Sequence, residues 1–171
     1  LRAKAVVDAA PEEVFKLIMD DSKRALWDDN VQHNEVLREL SQYAHIVYTQ
    51  MRPIWIGPMY TDARDLVLLR YWRLDENGTY VITWQSVEDP ELSGAREGFV
   101  RGRIFAMGFT ISPVANEPNK ALLRFSCHAD PGGSLSMMPS VVLQRWLNPF
   151  VTRVLGIKKA LSKGSGSTTL T

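Results

Sequence analysis

Strand-like runs, dense in β-branched and aromatic residues, dominate the hydrophobic pattern of this chain. They cover residues 3–8, 31–40, 44–51, 64–74, 79–88, 98–112 and 121–130, each bounded by Gly, Pro, Asn or Asp. Helical spacing interrupts them twice. Pro11-Glu12-Glu13 opens a helix, with proline suited to the first turn and acids to its positive end, and Val14, Leu17 and Ile18 form one apolar stripe. A second short helix is predicted over 22–27 with Ser22 as its cap. Asp75-Glu76-Asn77-Gly78 reads as a hairpin turn. The last element is a long helix over 139–161, in which Leu143, Trp146, Leu147, Phe150, Val151, Val154 and Leu161 recur at helical spacing. Pro149 removes one backbone donor from its middle and predicts a kink there. Sequential strands with short connections argue for an antiparallel sheet. The expected fold class is therefore α+β, a curved antiparallel sheet with one long C-terminal helix. It occupies residues 1–162, and the Gly/Ser/Thr-rich residues 163–171 read as a flexible tail or linker.

Composition narrows the picture. The 171 residues suit one domain, and a net charge of +1 leaves no electrostatic footprint for nucleic acid. One cysteine, Cys127, excludes an internal disulfide and fits a reducing, cytoplasmic setting. No apolar run approaches the ~18 residues of a membrane span, and no signal peptide is expected at the start of the chain.

One residue stands against the pattern. Arg70 lies in the apolar run Leu66-Val67-Leu68-Leu69-Arg70-Tyr71-Trp72. A buried guanidinium must be paired. Arg70 therefore either points into an interior that holds a polar group, or faces outward and pairs with Asp65 or Glu88. Alternation puts Leu66, Leu68, Arg70 and Trp72 on one face. The predicted hairpin pairs that face with Thr83, Gln85 and Val87, where Thr83 and Gln85 could hydrogen-bond the guanidinium or a ligand oxygen. Val67, Leu69, Tyr71 and Trp84 would then point out and need a cover. Arg64 is expected to pair locally with Asp65.

Five segments in order resemble the START domain, the lipid-binding helix-grip family named after the steroidogenic acute regulatory protein. They are Pro11-Glu12-Glu13-Val14-Phe15 with Trp27-Asp28; Ala63-Arg64-Asp65-Leu66-Val67; Ser86-Val87-Glu88-Asp89-Pro90; Phe99-Val100-Arg101-Gly102 with Gly108-Phe109-Thr110-Ile111-Ser112-Pro113; and Ala129-Asp130-Pro131-Gly132-Gly133-Ser134-Leu135. Trp72-Arg73 and Gly78-Thr79-Tyr80-Val81 resemble the versions found behind pleckstrin-homology domains in plant and protist proteins. The resemblance implies that the family's first helix and first strands would precede Leu1. It also implies a sheet that curves around the final helix and encloses a tunnel for one hydrophobic ligand.

On that resemblance Arg70 lies in the tunnel, with Thr83 and Gln85 as polar partners. Leu66, Leu68, Ile104, Leu123 and Phe125 surround the apolar part of the ligand, joined in the wall by Val100, Ala106 and Cys127. Sterol-binding relatives carry an acid near the end of the preceding strand, whereas Val47-Tyr48-Thr49-Gln50-Met51 has none. An unpaired interior arginine instead favours a phospholipid or another lipid with an anionic head, which guanidinium grips bidentately. The oddly apolar segment 52–60, with Trp55, Ile56 and Met59, is expected at the tunnel mouth facing Leu147, Pro149 and Phe150 of the last helix. Trp55 there either inserts transiently into a membrane or folds back as a plug.

The function expected is binding, and transfer between membranes, of one lipid by a monomeric domain of a larger protein, peripheral to membranes. The alternative is a sensing or regulatory module that binds without transferring. No cofactor, metal or enzymatic role is expected. His33, His45 and His128 are scattered, and Ser126, His128 and Asp130 share one strand face like ordinary exposed residues.

Overall fold

The computed structural model describes residues 1–92, 94 and 96–164. β1 (Arg2–Val7) leads into α1 (Pro11–Met19), a 3-10 helix (Asp21–Leu26), β2 (Val31–Ser41) and β3 (Ala44–Met51). A two-residue hairpin, β4 (Trp55–Ile56) and β5 (Met59–Tyr60), precedes β6 (Ala63–Leu74), β7 (Tyr80–Ser86), β8 (Phe99–Arg101), β9 (Arg103–Val114) and β10 (Glu117–Asp130). A second 3-10 helix (Gly133–Met137) and α2 (Ser140–Gly164) complete the chain. The main sheet runs β1-β10-β9-β7-β6-β3-β2, all antiparallel, with β8 added in parallel beside the start of β6. The α+β sheet-and-helix architecture expected from the sequence is thus present. Several boundaries differ: Gly102 breaks the strand foreseen over 98–112, β10 begins at Glu117, segment 52–60 carries its own hairpin, and α2 extends to Gly164. The rest of the expected tail, 165–171, lies outside the described residues.

The sheet has two apolar faces. Its inward face carries Leu66, Leu68, Ile82, Trp84, Ile104, Met107, Phe109, Leu123, Phe125 and Cys127, buried against Trp146, Phe150, Val154 and Ile157 of α2 and Val14 and Ile18 of α1. On the outward face Ile46, Tyr48 and Val67 form a small second cluster with Leu37, Val87 and Leu92. The connection after β7 supplies this cover. Arg38 fastens it through Asp89 (3.0 Å) and Glu91 (2.8 Å), and Arg96 lies 3.6 Å from the Tyr48 ring centre.

The β6–β7 turn sets which side chains face inward, and it departs from expectation. The strands close on Leu74↔Tyr80, so Arg70 pairs with Trp84, and Leu69 and Tyr71 pair with Gln85 and Thr83. Asp75 N–H donates to Thr79 O at 2.9 Å, Gly78 N–H donates to Asp75 O, and Gly78 adopts φ +78°. This is a three-residue loop ending in a left-handed glycine, one residue out of step with a register that would set Thr83 and Gln85 on the Arg70 face. One residue of slip moves every side chain to the other face. Trp84 is consequently buried within the core, and Thr83 and Gln85 are exposed on the outer surface. Ala106 is displaced outward in the same way. Ile104 and Met107 both face inward because β9 and β10 slip register near His128.

Candidate functional site

Arg70 points inward and is buried, which excludes the outward alternative. It is not unpaired. Its Nη1 donates to Asp21 Oδ1 at 2.7 Å and its Nη2 to His45 Nδ1 at 3.2 Å. Asp21 also accepts from Asn34 Nδ2 (2.7 Å), whose Oδ1 accepts from Thr49 Oγ1 (2.6 Å). The acid comes from the 3-10 helix, and its carboxylate neutralises Arg70. Arg70, already paired, thus creates no demand for an anionic head group. Arg70 Nε remains buried without a partner among the described residues, so one donor stays unused.

The apolar residues proposed to surround the ligand share the inward face of the sheet. Leu66, Leu68, Ile104, Leu123 and Phe125 are all inward and buried, with Cys127 beside them. Burial pushes the Cys127 thiol up to about 11, so it stays neutral. Thr83 and Gln85 do not join this set. They line a groove of about 370 Å³ on the opposite face, opened by Gly108, where a Cβ would stand 2.7 Å from Ile82 O.

At one end of the interior, the hairpin meets α2. Trp55 is 69% exposed and lies against the Tyr60 ring at a tilt, whereas Ile56 turns into the core, so Trp55 is not folded back as a plug. Met59 packs against the same core as Leu147, and Phe150 is fully buried within it, out of reach of any external surface. Gly57 lies against Arg145 of α2. Met137, at the end of the second 3-10 helix, and Val141, in the first turn of α2, are also exposed. Pro149 lies inside α2. Its carbonyl accepts from Thr152 Oγ1 at 2.7 Å and from Asn30 Nδ2 at 3.4 Å.

A second polar cluster escaped the sequence reading. Asp28 is fully buried, and its Oδ2 receives Arg24 Nη2 (2.8 Å) and Nε (3.2 Å), with Arg153 Nε of α2 at 2.7 Å. Arg24 lies over the Trp27 ring (4.1 Å to its centre) and Arg153 over that of Phe150 (4.3 Å). Burial, with Arg153 adding and Asp28 opposing, pushes the Arg24 guanidinium down to about 10. The available signal was an Arg at a helix position, between Phe150 and Val154, that the apolar stripe also occupies.

The START domain family profile matches residues 1–159. The chain belongs to the START domain family. Among curated relatives it is 36% identical over 115 residues to the Arabidopsis thaliana "Protein ENHANCED DISEASE RESISTANCE 2-like", covering 67% of this chain but only 16% of that protein. Human StAR-related lipid transfer protein 5 superposes with a TM-score of 0.82 at 26% identity, over 96% of this chain and 75% of that one. A Streptomyces aromatase/cyclase, Zhui, shares the fold alone, with a TM-score of 0.60 at 12% identity.

The motifs that suggested a START domain have physical roles here. Asp65 of the Ala63-Arg64-Asp65 segment is gripped in bidentate fashion by Arg101 of Val100-Arg101-Gly102, Nε at 2.7 Å and Nη2 at 2.8 Å, and accepts from Tyr48 Oη at 3.3 Å. The expected Arg64–Asp65 pair does not form. Arg64 instead donates to the carbonyls of Asp62 and Pro131. In Asp130-Pro131-Gly132-Gly133, Asp130 Oδ1 accepts from Gly132 N–H (2.9 Å) and Ser136 Oγ. Gly132 has φ +71°, and a Cβ there would lie 2.1 Å from Arg101 O, so no other residue fits. These segments tie β6, β8 and the turn before α2 into one corner. In this START domain they are structural.

Proposed function

We propose that this START domain binds one lipid between the inward face of its sheet and α2, and exchanges it with a membrane. Supporting this is an apolar interior bordered by a polar network that retains a free donor, with the hairpin and the first half of α2 at its edge. Leu66, Leu68, Ile104, Leu123 and Phe125 surround the acyl or ring portion, and Arg70, with its unused Nε, reaches polar atoms of the head. The paired Arg70–Asp21 can both donate and accept, so this station by itself suits a zwitterionic or hydroxylated head as well as an anion. Trp55, Tyr60, Met137 and Val141 form the membrane-facing rim. Among the described residues no helix is long and apolar enough to cross a membrane.

Arg70→Met is expected to weaken binding of lipid from vesicles about tenfold, about 1.4 kcal/mol, while the fold is kept because Asp21 remains partly solvated. Native mass spectrometry of the lipid-loaded protein and titration with labelled vesicles measure this. Unchanged affinity removes Arg70 from the site. Trp55→Ala is expected to slow transfer between vesicles severalfold while leaving equilibrium binding within about twofold. Equal losses in the two assays would take the hairpin out of the gate.

The chain spans only 16% of the plant relative's length, which favours a second reading, a sensing module inside a multidomain protein. The same pair of assays separates the two, since a sensor binds without accelerating exchange.

A further inference from the structure

Arg70 was the interior arginine that the sequence singled out, yet the uncompensated charge sits elsewhere. Around the inward face three guanidinium groups, Arg24, Arg70 and Arg153, face two carboxylates, Asp21 and Asp28. One positive charge is left over, and its partners identify it as Arg153. Arg24 already neutralises Asp28 with two aligned hydrogen bonds. Arg153 Nε stands 2.7 Å from the same oxygen, but its N–H is not aimed at it, and Nη1 faces the thioether of Met107 at 3.1 Å, a weak acceptor. Two further polar atoms are buried without a partner among the described residues, Asp28 Oδ1 and Trp27 Nε1. The neighbouring Cys127 thiol, neutral as described, adds no counter-charge.

A role in fastening α2 would need only the one arginine–carboxylate contact. It explains neither the excess charge nor the orphaned donors, which a desolvated site does not tolerate without partners. Register places the cluster relative to Arg70. Arg70 pairs with Trp84, Trp84 with Met107, and Met107 with Cys127, so all four lie on one transverse row. Met107, beneath Arg153, is therefore two strand spacings, about 10 Å, from Arg70 along the row.

We propose that Arg153, with the unpartnered Trp27 Nε1 as a second donor, binds the single negative charge of an amphiphile's head group, a carboxylate or a phosphodiester, on the inward side of α2. Met107, flexible and weakly held, gives way to the ligand oxygens, and a separate hydroxyl, in a head group that carries one, donates to Asp28 Oδ1. Arg70 then serves the uncharged polar part of the head across Trp84. The inference rests on the lipid-binding reading above and adds to it a requirement for charge.

Two probe pairs test it with the intact chain. A fluorescent long-chain fatty acid is compared with its methyl ester, and phosphatidylglycerol with diacylglycerol, the latter two offered from phosphatidylcholine vesicles. The anionic member of at least one pair is expected to bind about tenfold tighter than its neutral counterpart. The pair that shows the preference identifies the source, carboxylate or phosphodiester. No preference in either pair overturns the inference while leaving lipid binding intact, and failure of all four probes overturns the lipid reading with it. Arg153→Gln is expected to erase the preference with neutral probes still bound, and a folded variant that keeps it overturns the assignment. Independently of any variant, a fatty acid bearing a diazirine beside its carboxylate is expected to crosslink to Trp27, Met107 or Phe150. Adducts confined to His45 and Arg70 would overturn the placement.

Discussion

Asp28→Ala is expected to destabilise the domain by about 3–5 kcal/mol, the range for leaving buried charge without its partner. Asp28 is the shared counter-charge of Arg24 and Arg153 and is itself fully buried, so its removal strands two desolvated guanidinium groups. Urea denaturation at unchanged slope measures the loss as a fall in midpoint. The cause can be separated from simple cavity formation. Replacing all three residues by apolar ones of similar size, Arg24→Met, Asp28→Leu and Arg153→Met together, is expected to recover most of the loss, because buried ion clusters are often no better than well-packed hydrophobic residues. A loss below about 1 kcal/mol for Asp28→Ala, or no recovery in the triple variant, would show that charge pairing is not what holds this corner.

Gly156→Ala should be comparably severe for a different reason. In an exposed helix this change stabilises by about 1 kcal/mol through helix propensity. Here a Cβ would lie 2.2 Å from Trp27 O and 2.9 Å from Trp27 C, so the helix backbone rests directly on another backbone that cannot rotate aside. Steric displacement wins, with an expected net loss of about 3 kcal/mol as the downstream half of α2 is pushed off its seat. Leu155→Ala, one position away and 63% exposed, serves as the control and is expected to stay within about 0.5 kcal/mol of the parent. A stabilised Gly156→Ala variant would mean that α2 does not sit where described.

How much was legible in the sequence follows from what is local. Strand β3 at 44–51, the start of α1 at Pro11 and the apolar inward set Leu66, Leu68, Ile104, Leu123 and Phe125 follow from alternation, caps and breakers, which act over a few residues. Family resemblance was equally readable, because glycines such as Gly132 cannot be replaced where φ is positive and a carbonyl lies against them. Thr83 and Gln85 were misplaced because Asn77-Gly78 is compatible with two loop lengths, and parity alone decides which side chains face Arg70. The partners of Arg70, Asp65 and Arg153 were out of reach for another reason. Asp21, Arg101 and Asp28 stand 49, 36 and 125 residues away in the chain, and nothing in local spacing announces pairs that only the folded topology creates.

Pro149 divides α2 into two unequal pieces. Downstream, Phe150, Arg153, Val154 and Ile157 are buried and Gly156 is seated on Trp27, whereas upstream only Trp146 is buried as deeply among the described residues. A helix fastened over half its length is a cantilever, and its free arm bends without lifting the fixed end. The residues that set how often the arm swings are then different from those that set whether the domain melts. On the lipid-exchange reading proposed above, residence time of the ligand would therefore drift through changes at positions such as Val141 or Arg145 while the melting temperature stays still, and the two traits become separately selectable within one element.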